Sequence, residues 1–337
     1  MAHEIEELDG AAYALQPAWH GLGTVIDHLM TADEASAAAG LDWEVGLEPV
    51  YDRYGQEIGG HSADIRWSVR LDLDERDVRR YLGQVTADYA IVQNRDLFKV
   101  CEAICGEGAA RFESALSMRN GRVVAVVVNL HEPFMVKDEE VRPFFVATTG
   151  HDGSRRVDLL YTSVRVVCMN TLNMALDSTK HHAKLSHVGR VQDRAMVAAE
   201  CLASGREYFE AQRVAFTNMA EQEIDAAFRE AYLRCLFPAG ESKASLTCAK
   251  KNRAFVADLF EGGQAGAYSD ACHGTVFGLY QAAVEYFDHH TSKECASDER
   301  RAEQLLLGEG TIARRKQHAF ELAAKGIKVR DAVFAGE

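Results

Sequence analysis

Proline is scarce, 5 in 337 residues, so the chain has no Pro-rich linker to hold domains apart. No apolar run approaches the roughly 18 residues that cross a bilayer. The opening MAHEIEELDG is acidic where a secretory leader would be basic and then apolar, which leads us to expect a cytoplasmic protein with no membrane partner. The eight cysteines include no CxxC pair, and a chain this long needs no disulfide framework, so reduced core thiols are expected and structural zinc is not. The patterns GxGxxG, GxxxxGK[ST], GxSxG and HExxH are all missing, which removes the usual nucleotide loops, the hydrolase elbow and the common zinc-protease helix. Cationic surplus is missing too. A net charge of -14 argues against a protein that coats duplex DNA by overall basicity.

What the chain does have is an uneven distribution of charge. Residues 1–150 hold 13 Lys/Arg against 26 Asp/Glu, residues 151–194 hold 7 against 4, and residues 195–337 hold 17 against 21. The middle segment also carries His151, His181, His182 and His187. A polyanion repelled elsewhere would find its contact there, although a bias this small also fits chance fluctuation.

The periodicities divide the chain into two parts. Thr31 and Glu34 form a capping box for a short helix that Gly40 stops. Alternation at Trp43, Val45 and Leu47, and again at Trp67, Val69, Leu71 and Leu73, gives half-buried strands. A short strand is expected from Asp88 to Gln93, then a helix capped by Asn94 with Leu97, Val100, Cys101 and Ile104 inward. Residues 111–130 read as a hairpin closed by a type I′ turn at Asn120-Gly121, with Val123–Val128 apolar on both faces and therefore central. Val141–Thr149 and Arg155–Cys168 follow as third and fourth strands, and Asn170 caps a helix. From about residue 190 the period is helical, with Leu202, Phe209 and Phe216 at seven-residue spacing, Ile224, Phe228, Ala231 and Cys235 on one face, and Val276, Tyr280, Ala283 and Phe287 on another. The expected fold class is α+β: an antiparallel β-sheet core, a meander followed by a helix, in an α+β domain over residues 1–190, then an all-helical domain over 191–337.

The long strand from Arg155 is the main candidate site. Period two puts Arg155, Tyr161, Ser163 and Arg165 on one face and Arg156, Asp158 and Leu160 on the other. Arginines answer phosphates and a tyrosine stacks on any base, so the first face suits single-stranded nucleic acid. With Arg156, Asn170, Lys180, His182 and Lys184 nearby, it forms the expected nucleic-acid-binding set. The competing reading is an amphipathic strand whose arginines pair with carboxylates. The turn His151-Asp152-Gly153-Ser154 suits either an anion nest or a plain hairpin turn. His181, His182 and His187 lack metal-site spacing and are read as surface or phosphate-facing groups, and Cys168, following two valines, as a buried thiol. Trp19-His20-Gly21-Leu22-Gly23 reads first as a structural tuck. No catalytic set, metal or cofactor is expected.

The blocks PAWHGLG, LDWEV, DYAIVQNRDLF, GHDGS, TSVRVVCMNTLNMAL and GTVFGLYQAAVEYFDH, in this order, resemble the phage/plasmid-like protein family that carries domain of unknown function 932. The resemblance implies a role in mobile-element biology within a bacterial cytosol. Its motif positions here are Trp19, His20, Gly21 and Gly23, then Tyr89, Gln93 and Asn94, then Asp152, Gly153 and Ser154, and finally Arg165, Cys168, Asn170 and Thr171. The β-β-β-α order of residues 111–170 is similar to that of Rad52-like strand-annealing proteins. The expectation is therefore a homo-oligomeric, non-catalytic protein binding single-stranded DNA. The alternative is an accessory or anti-defence factor that binds a host protein or a nucleotide signal.

Overall fold

The computed structural model describes residues 10–14, 24–58, 65–73, 77–106, 110–130, 133–155, 157–165, 182–185, 191–262, 272–291 and 310–324. In chain order the elements are β1 (Ala11–Ala14), β2 (Thr24–Ile26), α1 (Ala32–Ala38), β3 (Val45–Pro49), β4 (Ile65–Leu73), β5 (Arg79–Thr86), α2 (Asn94–Cys105), β6 (Arg111–Met118), β7 (Val123–Asn129), β8 (Phe134–Val136), β9 (Glu139–Gly150), β10 (Val157–Arg165) and β11 (His182–Leu185). Helices follow: α3 (Val191–Glu221), α4 (Ala226–Leu236), α5 (Lys243–Gly262), α6 (Val276–Glu285) continuing into a π-helical turn (Tyr286–His290), and α7 (Gly310–Ala324).

The strands form two sheets. The larger runs β11-β10-β9-β7-β6-β1-β2, with β8 added beside β9, and the smaller is β3-β4-β5. The expected antiparallel meander is its centre: β6, β7, β9 and β10 pair in sequence. All seven residues of β7 are buried, as a strand with neighbours on both sides and apolar residues on both faces should be. Its hairpin closes through Arg119–Arg122, where the Arg122 N–H donates to the Arg119 carbonyl at 3.3 Å. Positive φ at Asn120 (57°) and Gly121 (85°) is what a type I′ turn requires. Alternation sends Val124, Val126 and Val128 into the main core and Val123, Ala125 and Val127 into a second cluster on the opposite face.

The main core does not stop where the strands do. It runs from Val126, Phe145 and Tyr161 of the sheet through Tyr208 and Phe216 of α3 to Phe277, Tyr280 and Phe320 of the helical region. Strand gives way to helix between Leu185 and Val191, and packing continues across that point. The third predicted helical face holds throughout: Val276, Tyr280, Ala283 and Phe287 are all at most 2% exposed. Because every residue of α6 is buried, it is the central helix of this region. Asp225 and Thr275 cap α4 and α6 by accepting from the Phe228 and Gly278 amides, and the Tyr232 hydroxyl donates to the Ala319 carbonyl, tying α4 to α7.

Three local expectations change. Asp88–Gln93 forms no strand; the strand lies earlier, at β5, and residues 89–93 link it to α2 without regular structure. The cap of α2 is Gln93, one residue before Asn94, with the Asp96 carboxylate accepting the Gln93 N–H at 3.3 Å. Asn94 is instead the first helical residue, and its amide has a different task, described below. The fourth strand begins after Arg155 and is described over Val157–Arg165, and its expected continuation to Cys168 lies outside the described residues. The helix expected after Asn170 lies outside the described residues.

A bulge between Phe112 and Ser114 places Glu113 in an awkward setting. One of its carboxylate oxygens is buried with no hydrogen-bond partner, and burial raises its pKa above the ordinary 4.5, with Arg142 opposing the shift. A raised carboxyl pKa means that the unfolded chain releases this proton first, so stability falls as pH rises above the ordinary carboxylate range. Glu113→Gln is expected to stabilise the protein at pH 7, with the gain in urea midpoint shrinking by pH 4.

Candidate nucleic-acid interface

The structure separates the residues expected to form one cationic face. Arg155 precedes β10, so strand alternation does not govern it; its guanidinium lies 3.2 Å from the Asp158 carboxylate, and both side chains are under 10% exposed. Tyr161 does lie on the expected face, but α3 covers it, leaving 7% exposed. Gly205 makes that closeness possible, since a side chain there would approach within 2.6 Å of the Tyr161 ring. The ring packs against Tyr208 and Phe209, so it offers no open stacking surface. Ser163 and Arg165 stand on β10 opposite Pro143 and Val141. His182 and Lys184 stand on β11, the sheet's outermost strand, opposite Leu160 and Asp158. Arg156, Asn170 and Lys180 lie outside the described residues, as do Trp19, His20, Cys168, His181 and His187. Among the described residues no group of three or more His, Cys, Asp or Glu could hold a metal ion.

Three of the quoted sequence blocks meet in one buried junction. Gln93 clamps the Val45 backbone, its carbonyl accepting from the Val45 N–H at 2.9 Å and its amide donating to the Val45 carbonyl at 2.8 Å. The Asn94 amide donates to the Leu41 carbonyl at 3.1 Å and reaches that of Trp43 at 3.4 Å. Its Oδ1 is then left as an acceptor for Nε2 of His151, 2.9 Å away and fully buried. The Tyr89 hydroxyl donates to the Gly150 carbonyl at 2.7 Å. Trp43 meets the His151 ring edge-on, and Arg70 lies over its other partner surface, 4.3 Å from the Trp43 ring, while pairing with Asp72. The hydrogen bonds of Gln93, Asn94 and Tyr89 fix the smaller sheet, the start of α2 and the β9–β10 turn together.

The turn itself is the plain alternative, not an anion nest. Asp152 Oδ1 accepts from both the amide and the hydroxyl of Ser154, at 2.9 and 2.6 Å, and the His151 N–H donates to the Arg122 carbonyl. Gly153 takes the positive φ of 78° that the turn needs.

A different surface joins cations to aromatic rings. Lys243, Thr247, Lys251 and Phe255 recur every fourth residue and therefore form one stripe along α5. Facing them are Tyr286 and His290 of the π-helical turn, Thr291 just after it and Arg315 of α7, around a cleft of about 990 Å³. The π-turn widens the end of α6 and sets His290 4.7 Å and Tyr286 5.6 Å, ring centre to ring centre, from Phe255. Phe255 is 37% exposed, unusually open for a phenylalanine with two ring partners. Among the described residues lining this cleft none is acidic, a notable exclusion in so acidic a chain. The i, i+4 spacing of Lys243, Thr247, Lys251 and Phe255 was visible in the sequence; the contributions of Tyr286, His290 and Arg315 come from elements further along the chain and were not.

No helix among the described residues is long and apolar enough to cross a membrane. Neither a curated protein nor a solved structure matches the chain. One family model does, over residues 81–320, a span that takes in the junction's α2 and turn, the meander and the α5 cleft. The chain accordingly belongs to the family defined by the domain of unknown function DUF932.

Proposed function

We propose that this is a cytoplasmic, non-catalytic protein of phages or plasmids that binds single-stranded DNA as a homo-oligomer, in the manner of Rad52-like annealing proteins. The observation that carries the reading is the α5 cleft, where Lys243, Lys251 and Arg315 surround the Phe255–Tyr286–His290 ring group without a lining carboxylate among the described residues. Cations along a groove answer phosphates, and an exposed ring stacks on a base whatever its identity, which is how sequence-tolerant single-strand binders work. The acidic remainder of the surface would keep the strand from binding elsewhere. His182 and Lys184 on the edge strand, with Arg165 on its neighbour, would extend the path in an assembly of several copies.

The test is fluorescence anisotropy with a labelled oligo-dT. Lys251→Ala should weaken binding and flatten the dependence of log affinity on log salt by about 0.7, the share of one phosphate contact. Phe255→Ala should weaken binding by about 1 to 3 kcal/mol, the contribution of one stacked base. Wild-type affinity in both folded variants would remove this cleft from the interface. The cleft's bounded size also favours the accessory-factor reading, with a single nucleotide signal as occupant. Affinity that grows with oligonucleotide length supports the strand; affinity already complete with a mononucleotide supports the signal.

A further inference from the structure

A second cleft, of about 570 Å³, opens where α3 crosses the sheet between the end of α2 and strands β7 to β10. Its floor is apolar, built from Ile104, Leu130, Phe134, Tyr161 and Phe209, with two proline rings beside them. Charge is confined to α3, where Arg206, Glu210 and Arg213 lie on successive turns of one face. Arg213 holds Glu210 with two hydrogen bonds, at 2.9 and 2.5 Å, so that pair is neutral overall. Arg206 is exposed, and among the described residues no carboxylate pairs with it. Cys105 adds no charge, because burial and the nearby Glu102 push its thiol up to about 11. The cleft therefore presents an apolar body and one net positive charge at one side.

We infer that this cleft binds an apolar monocarboxylate, an alkyl or aryl chain on the sheet side with its carboxylate on Arg206. A phosphate dianion would need a second unpaired cation, and a nucleobase would need several edge-reading polar groups where the lining holds one side-chain amide, that of Asn129. The size falls in the range of small-molecule sites, and the apolar lining supplies affinity while the arginine supplies orientation.

Isothermal titration calorimetry with decanoate and with decanol tests the inference on the full chain. Decanoate should bind saturably at one site per chain, and decanol more weakly. Arg206→Ala should weaken decanoate about tenfold and leave decanol unchanged, and Arg206→Glu should weaken decanoate further. Both substitutions fall on an exposed position, so folding is retained. Bound decanoate should also slow alkylation of Cys105, read by peptide mass mapping, without slowing that of the exposed Cys248. Absence of saturable decanoate binding, equal loss of decanoate and decanol in Arg206→Ala, or unaltered Cys105 alkylation would each overturn it. Oligo-dT affinity should not change in Arg206→Ala, which keeps this result separate from the fate of the α5 cleft.

Discussion

Asn94→Leu is expected to destabilise the protein by about 3 to 6 kcal/mol, because it strips hydrogen bonds from the Leu41 and Trp43 carbonyls and from His151 inside a junction closed to water. The shape is nearly kept, so the loss is one of polar satisfaction, not of packing volume. A double-mutant cycle separates these causes. His151→Leu alone should be strongly destabilising, since it leaves Asn94 Oδ1 buried without its donor. Added to Asn94→Leu, it should cost much less, because removing both partners of a buried hydrogen bond is far cheaper than removing one. Urea unfolding followed by far-UV circular dichroism gives all four midpoints. Additive losses would mean that the pair is not coupled as the 2.9 Å geometry requires.

Periodicity identified the longer elements with a regular apolar pattern and missed the irregular and the very short ones. β6, β7, β9 and α6 were legible because their apolar residues follow the period of their own backbone. β5 reads RRYLGQVT, with arginines, a glycine and a polar pair interrupting the alternation, and only pairing with β4 makes it a strand. β1, β8 and β11 are three or four residues long, too short to show a period at all. The candidate site failed to read through for a related reason. Alternation correctly put Tyr161 on the same face as Leu159, but it cannot say what lies over that face, and the cover is a helix that begins 30 residues later. The blocks DYAIVQNRDLF and GHDGS likewise announced themselves by their unusual composition, and their role emerged only when they met: Gln93, Asn94 and His151 join elements that the sequence keeps about 50 residues apart. Unusual local composition here marks a junction in which the side chains of Gln93, Asn94 and Tyr89 are committed to backbone groups and to His151.

The same junction sets the second large effect. Gly83 in β5 lies so close to the β9–β10 turn that a Cβ on it would stand 2.5 Å from the Cα of Asp152 and 2.9 Å from its carbonyl oxygen. Those are backbone atoms, held by the Asp152–Ser154 turn bonds and by the His151 amide, so they cannot swing aside as a flexible side chain would. Gly83→Ala must therefore push the small sheet away from the turn, at a cost of about 1 to 3 kcal/mol for overpacking, and Gly83→Val should exceed that. Gly262, at the end of α5 with nothing within 4 Å of its would-be Cβ, is the matched control: Gly262→Ala should be neutral or slightly stabilising. Because the smaller sheet bears Val45 and Arg70, which meet Gln93 and Trp43, displacing it should also alter the near-ultraviolet signal of the tryptophans before global unfolding. The α5 cleft shares no residue with this junction, so oligo-dT affinity of folded Gly83→Ala should stay at the wild-type value. A Gly83→Val protein with wild-type urea midpoint would show that the two sheets do not meet at this turn as described.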